Sequence, residues 1–442
     1  MDSRYVPRRH SSVAASLAGL ASAALLLAGC SSSPGGSSGN AASSGNTASS
    51  GNTASAPGVT PTSVTVGLLT SFTGALSSGF TTVAEGFKAR IAMQNALGGV
   101  DGRQIKVVEG DDGSSPAQAL TATMTLVEQK QVFALASVSD VLLGAETYLK
   151  TNDVPVVGSP YDGPEWAPPN DNMFPVSGSP NPKYPAGELF GTFFKREGAT
   201  NVAVVTYNVP SAIAVAKNVK ASAEQAGLKA TYINYTLPLT QEGNFTAIVQ
   251  QMKAEGVDAM YLPMNPTQYF ALISEIRAAG MNVKAYLLGV PPPAGSASNA
   301  QTLADLQNTW VAGPWQPVQL KTPATEAFQT ALAKYANQTA EPDRNEYEGW
   351  AAASAIIKGL EEAGKNPTRA SFMTGLRAVK DFTADGLAVS PVSFNASFGA
   401  GVEGPVGAAP YNCAYFQQFK GSSWVVSPTP ICGGIVPNSD AG

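Results

Sequence analysis

Of the side chains that carry nucleophilic, redox or metal-ligating chemistry, this 442-residue sequence has one histidine, His10, and three cysteines, Cys30, Cys413 and Cys432. Cys30 closes the string Leu27-Ala28-Gly29-Cys30, at the end of an apolar run from Val13 to Ala28 that follows Arg4, Arg8 and Arg9. Such a run is too short for a permanent membrane span but suits the apolar core of a secretory signal, and small residues directly before a cysteine are what lipoprotein processing needs. Residues 1–29 are therefore expected to be a bacterial lipoprotein signal peptide, with lipid on Cys30 holding the mature chain extracytoplasmically on the cell membrane. His10 leaves with that segment, so the mature chain lacks imidazole. This excludes Ser/His/Asp and Cys/His nucleophilic machinery and His-ligated zinc. Carboxylate-only chemistry stays open. Cys413 and Cys432 remain as a disulfide pair for an oxidising compartment, two unpaired structural thiols being the alternative.

Past the first 29 residues, 413 remain, too many for one core, so two lobes of roughly 120–200 residues each are expected. Removing Asp2, Arg4, Arg8 and Arg9 from 32 acidic and 27 basic residues leaves 31 against 24, an acidic balance that argues against a nucleic-acid partner. Residues 30–58 are built from Ser, Gly, Asn, Ala and Thr and read as a disordered tether with a reach of about 30 Å.

From Val59 onward, short apolar runs alternate with amphipathic stretches, the pattern of parallel sheets flanked by helices. Strands are expected at Val64–Leu69, Gln104–Glu109, Val132–Ala136 and Val154–Val157, with helices at Thr81–Leu97 and Pro116–Gln129. A second round has strands at Val202–Thr206, Ala230–Tyr235, Val257–Leu262 and Ala285–Leu288, and helices at Ser211–Ala226, Phe245–Glu255 and Thr267–Ala279. Pro291, Pro292 and Pro293 mark an expected crossing between lobes. Thr325–Asn337 and Glu346–Glu362 follow as long helices, and strands end the chain. The resulting division is 59–176 with 295–383 for lobe 1, and 177–294 with 384–442 for lobe 2.

The strings VTVGLLTSFTGALSSG from Val64 and FKARIAMQNALGGVDGRQIKVVEGDDGSSP up to Pro116 resemble the branched-chain amino acid-binding proteins, solute receptors of ABC transporters with the type I periplasmic binding fold. The resemblance rests on the Gly67–Gly79 loop, the Gly98–Arg103 turn, and Asp111 and Asp112 before Pro116. It implies two Rossmann-like α/β lobes joined by three crossing strands, a small-molecule ligand held between them, delivery to ABC permease subunits, a monomer, and neither enzymatic activity nor a cofactor or metal. In this fold the ligand sits beyond the carboxyl ends of the strands.

Residue by residue, the family's carboxylate-binding position falls on Asp140, preceded by Ser139, and its ammonium-binding acid falls on Pro291. Positions often aromatic in the family fall on Ser78, Ser211 and Asn265. An aspartate would repel a carboxylate, so the usual amino-acid clamp is not expected, and the ligand is expected to be a small polar molecule, an amino acid, amide or related compound. The strand-following loops add Thr73, Ser159, Tyr161 and Asp162 as candidate contacts, with helix capping or turn formation as the competing roles. Tyr347 and Glu348 open a long helix and suit a surface face equally well. A sensor built on the same lobes is one alternative. A carboxylate-dependent hydrolase using Asp140 with Asp162 is another. The G-x-S-x-G at Gly35, Ser37 and Gly39 lies in the tether, and the G-x-G-x-x-G at Gly399, Gly401 and Gly404 is followed by Pro405, so neither carries its motif's chemistry.

Overall fold

The computed structural model describes residues 51–161, 164–166, 170–177, 186–208, 210–238, 243–292, 295–395, 413–434 and 436. The signal segment, Cys30, Asp162 and the glycines at 399–404 lie outside them. Among the described residues no helix is long and apolar enough to cross a membrane.

In the first lobe, β1 (Ser63–Thr70), α1 (Val83–Ala96), β2 (Gln104–Asp111), α2 (Pro116–Met124), β3 (Leu135–Val138), α3 (Glu146–Thr151), β4 (Val156–Ser159) and β5 (Met173–Pro175) follow one another. The strands form a parallel sheet in the order β2-β1-β3-β4-β5. Central β1 is apolar on both faces, with Val64, Val66, Leu68 and Leu69 all buried, as a strand covered by helices on both sides must be. The chain passes through α4 (Leu189–Arg196) into the second lobe, with β6 (Asn201–Tyr207), α5 (Pro210–Gln225), β7 (Lys229–Leu237), α6 (Thr246–Ala254), β8 (Ala259–Leu262), α7 (Pro266–Ala278), β9 (Ala285–Leu288), α8 (Ala300–Leu306) and β10 (Thr309–Gly313). It then returns through α9 (Pro323–Ala331), α10 (Arg344–Ala363) and α11 (Arg369–Ala378), whose apolar residues join the first lobe's core. Finally β11 (Cys413–Lys420), β12 (Ser423–Val426) and β13 (Ile431–Cys432) complete the second sheet, ordered β12-β11-β10-β9-β8-β6-β7 with β13 on β11. Cys413 lies opposite Cys432 in the antiparallel β11–β13 pair, and the two are joined as a disulfide.

Three boundaries of the lobes and tether differ from the sequence expectation. Residues 295–313 belong with the second lobe, because β10 pairs in parallel with β9, Trp310 opposite Leu287. The crossing therefore comes at Pro314-Trp315, where Trp315 enters the first lobe's core, and not at the prolines after β9. Residues 384–395 stay with the first lobe, since Ala384, Leu387, Val392 and Phe394 are buried there. The tether ends earlier than expected: Asn52 donates to the Asp101 carbonyl at 2.8 Å, and the Thr53 hydroxyl donates to Asn366 at 2.7 Å. The strand expected from Val132 is regular only from Leu135, although the Phe133 amide already donates to the Thr65 carbonyl at 2.8 Å and Val132, Phe133 and Ala134 are fully buried.

Helices α1 and α10 cross backbone to backbone. A Cβ on Gly86 would stand 1.9 Å from the Glu346 carbonyl oxygen, and one on Gly349 would stand 2.1 Å from that of Val83. This contact fixes the first turn of α10 against the first lobe, and that turn carries the charged side chains of the site.

Candidate ligand-binding site between the lobes

The registers place the ends of β1, β2, β3 and β4 level with one another, Thr70 opposite Asp111 and Val138, and Val138 opposite Ser159. The loops that leave them form one lip. Two adjacent carboxylates fasten it. Asp111 accepts from the amides of Phe72 at 3.0 Å, Thr73 at 3.1 Å and Gly113 at 2.9 Å, and from the Thr73 hydroxyl at 2.6 Å. Burial alone would raise its pKa, but those hydrogen bonds, led by the Thr73 hydroxyl, hold it below the ordinary carboxylate value. Asp112, fully buried, accepts from the hydroxyls of Ser71 and Ser139, each at 2.6 Å, and from the Ser114 amide at 2.8 Å. The loops after β1, β2 and β3 are thus tied to one another. Among the described residues no group of three or more metal-ligating side chains is arranged to hold an ion.

Thr73, Ser139 and Ser159 therefore spend their hydroxyl hydrogens on carboxylates. Ser139 donates to Asp112 and also accepts from the Val141 amide at 3.1 Å, and Ser159 donates to Glu348. Ser139 and Ser159 are buried, Thr73 is exposed, and what the three do here is position the lip. Ser78 is exposed on the single turn Ser77–Gly79. Asp140 is exposed just beyond β3.

Glu348 is the hub of the opposite end. Its carboxylate is wholly buried and accepts from Ser159, from the Trp315 indole nitrogen at 3.2 Å and from Arg344 Nε at 3.4 Å. The guanidinium carbon of Arg344 lies 4.9 Å over the ring of Tyr161, which meets Phe80 edge-on at 5.8 Å. Arg344 Nη1 also donates to the carbonyl of Gly289, beyond β9 in the second lobe, at 3.4 Å. Helix α10 begins at Arg344, two residues before the sequence expectation, because Asp343 and Glu346 form a capping box: Asp343 accepts from the Asn345 and Glu346 amides, and Glu346 accepts from the Asp343 amide at 2.7 Å. Neither Tyr347 nor Glu348 is on a surface face. Tyr347 is buried against Phe328, with ring centroids 4.6 Å apart.

In the second lobe, Tyr207 ends β6. Its hydroxyl accepts from the Asn265 amide at 2.6 Å and donates to Gln268, while the Asn265 side chain accepts from the Gln268 amide at 3.0 Å as the N-cap of α7. Asn265 is accordingly a capping residue. Burial first, and then the charge of Asp140, push the Tyr207 hydroxyl up to about 12 against the lowering effect of Asn265. Tyr261 on β8 is likewise pushed up to about 12 by burial, which the Arg344 charge opposes. Ser211 lies on α5, its side chain outside the described residues, and Pro291 follows β9. Sequence reasoning missed Arg344 and Tyr207, and weighed Glu348 against a surface-face role. The Asp343-x-x-Glu346 capping signature and the terminal position of Tyr207 on an apolar strand were the available signals.

A family model described as periplasmic binding protein matches residues 63–423. Leu/Ile/Val-binding protein homolog 2 of Brucella abortus is 23% identical over 221 residues, which is 46% of this chain and 54% of that protein. The chain thus matches about half the length of that relative. Among solved structures, the solute-binding protein of an ABC transporter from R. palustris in complex with benzoate is 16% identical, with a TM-score of 0.67 over 85% of this chain and 98% of its own. The fatty acid ABC transporter substrate-binding protein from Thermomonospora curvata is 18% identical, with a TM-score of 0.69 over 88% and 97%. The branched-chain amino acid transporter substrate binding protein from Streptococcus pneumoniae, in complex with isoleucine, is 19% identical, with a TM-score of 0.66 over 83% and 99%. At these identities the likeness speaks for the fold.

Proposed function

Because this chain belongs to the periplasmic binding protein family and has its type I fold of two α/β lobes, we propose that it is the extracytoplasmic solute receptor of an ABC transporter. In this reading the ligand is a small polar molecule, held between the lobes and handed to permease subunits, with no covalent step. Lipid on Cys30 would keep the receptor at the membrane surface, within reach of that permease.

The observation that carries the reading is the meeting of strand-end residues from both sheets. Arg344 lies over the ring of Tyr161, beyond β4, and donates to the carbonyl of Gly289, beyond β9. Ligand contacts on both sides of such a junction convert binding energy into closure, the shape that a permease can recognise. The solved relatives with bound benzoate and isoleucine support a cleft that takes small carboxylated solutes.

The test is the thermal midpoint of the full chain against amino acids, amides, urea, polyamines, small aromatic acids and fatty acids. Binding to the folded form alone must raise the midpoint, by about 2.7 kcal/mol of added stability at a hundredfold excess over Kd. A rise with at least one solute, accompanied by compaction in small-angle scattering, is expected. A flat response across the panel would remove the proposal.

A further inference from the structure

We infer that the second lobe carries a further small-molecule site, at the amino edge of its sheet, which takes a zwitterion with an apolar body, an amino acid of the phenylalanine or leucine kind. This site is separate from the one between the lobes and does not depend on it.

Helix α4 explains why there is a cavity. Phe193 on α4 stacks on Phe416 of β11, with ring centroids 4.2 Å apart and planes 9° from parallel, and meets Trp310 of β10 edge-on at 5.2 Å. The helix ends at Arg196, but the sheet continues. Trp310 lies opposite Gln418, and Gln418 opposite Val425 of β12, so the three form a row on one face across three strands. Past the last turn of α4 a cavity of about 260 Å³ opens on that face, with Trp310, Phe416, Val425 and Ile431 in its walls. Val425 is 47% exposed, an apolar side chain without a cover. Trp310 is the second residue of β10, which runs parallel to β9, so the cavity lies at the opposite end of the strands from the loops of the candidate site. A cavity of about 150 Å³ already holds benzene, so this one has room for a phenyl or branched alkyl group.

Three charged residues, Arg196, Glu197 and Lys420, line the same cavity. Arg196 and Lys420 are exposed and Glu197 is half-buried. Among the described residues no hydrogen bond or ion pair takes up these three side chains. Burial raises the Glu197 carboxyl, and the charges of Arg196 and Lys420 oppose that rise. Arg196, in the last turn of α4, also suits the helix dipole, whereas Lys420 on β11 has no such role.

These charges select the ligand class. A lone carboxylate would be drawn to Arg196 and Lys420 but would face Glu197. A lone amine would meet Glu197 beside two cations. A neutral apolar molecule would use none of the three. A zwitterion sets its ammonium against Glu197 and its carboxylate against the two cations, while its apolar group enters between Trp310 and Phe416 and the aliphatic wall.

The experiment is isothermal titration of the full chain with phenylalanine and leucine, each beside the amine and the acid that keep only one of its charges. Those are 2-phenylethylamine and 3-phenylpropanoate for phenylalanine, and 3-methylbutylamine and 4-methylpentanoate for leucine. At least one amino acid is expected to bind, about tenfold more tightly than either of its analogues. Glu197→Gln should weaken it about tenfold, and Arg196→Gln and Lys420→Gln about two- to fivefold each, the usual worth of an exposed pair. Since the fold engages none of these side chains, thermal midpoints without ligand should not move. If one variant fails to fold, the other two and the analogue comparison in the unaltered chain still decide. Binding that every variant leaves unchanged lies elsewhere, the cleft between the lobes included, and overturns the assignment. So does an analogue that binds as tightly as its amino acid, or silence from both amino acids.

Discussion

The indole nitrogen of Trp315 lies 3.2 Å from Oε1 of Glu348, so the second residue after β10, where the chain leaves the second lobe, is bonded to the carboxylate that holds Arg344. A buried carboxylate with donors from three segments is costly to disturb, because each orphaned donor keeps its desolvation penalty. It also links the interlobe crossing to the site through one side chain.

Glu348→Gln should therefore destabilise the fold by about 1–3 kcal/mol in urea denaturation. An unchanged midpoint would mean that the hub contributes nothing to stability.

Gly86→Val should be worse. Its Cβ would fall 1.9 Å from a backbone oxygen of α10, an overlap relieved only by separating the helices, and a loss above about 3 kcal/mol is expected. Gly243→Ala, with nothing within 4 Å of its Cβ, should stay within about 0.5 kcal/mol. Similar thermal midpoints for the two variants would contradict the crossing geometry.

Glu346 gives stability a pH dependence. Burial first, and then the charges of Asp343 and Glu85, push its carboxyl up to about 8 from 4.5. Since its pKa is raised on folding, the folded chain binds this proton more tightly than the unfolded one. The group's contribution is complete below about 4.5 and is lost as pH rises towards 8, at no more than about 1.4 kcal/mol per pH unit. Unfolding free energies at pH 5 and pH 8 should show this fall, and Glu346→Gln should flatten it. A variant with an unaltered pH profile would refute the attribution.

Reducing the Cys413–Cys432 bond, which spans 19 residues, should cost about 3 kcal/mol on the chain-entropy account. Calorimetry with and without reductant measures it. An unshifted transition would show that β11 and β13 hold without the bond.

Much of the fold is legible in the sequence because it depends on local periodicity. The runs at Val64–Leu69, Val202–Thr206 and Ala285–Leu288 fall on β1, β6 and β9, and Pro116 and Pro266 open helices as first-turn prolines do. The lobe division is less legible, since proline-rich Pro291-Pro292 looks like a crossing while β10 is claimed by hydrogen bonds to β9 that no local pattern announces.

The candidate site divides along the same physical line. Sequence by itself determined which loops follow the strands, and therefore that Thr73, Ser139, Asp140, Ser159 and Tyr161 stand at one edge of a sheet, because alternation of strand and helix is written in neighbouring residues. Only the tertiary structure decided that Ser139 and Ser159 give their hydrogens to Asp112 and Glu348, and that Arg344, about 180 residues beyond Tyr161, stands over its ring. Side chains so far apart in sequence meet through the packing of α10 on α1, and that packing is set by glycines at a helix crossing and not by any pattern within the loops they bring together.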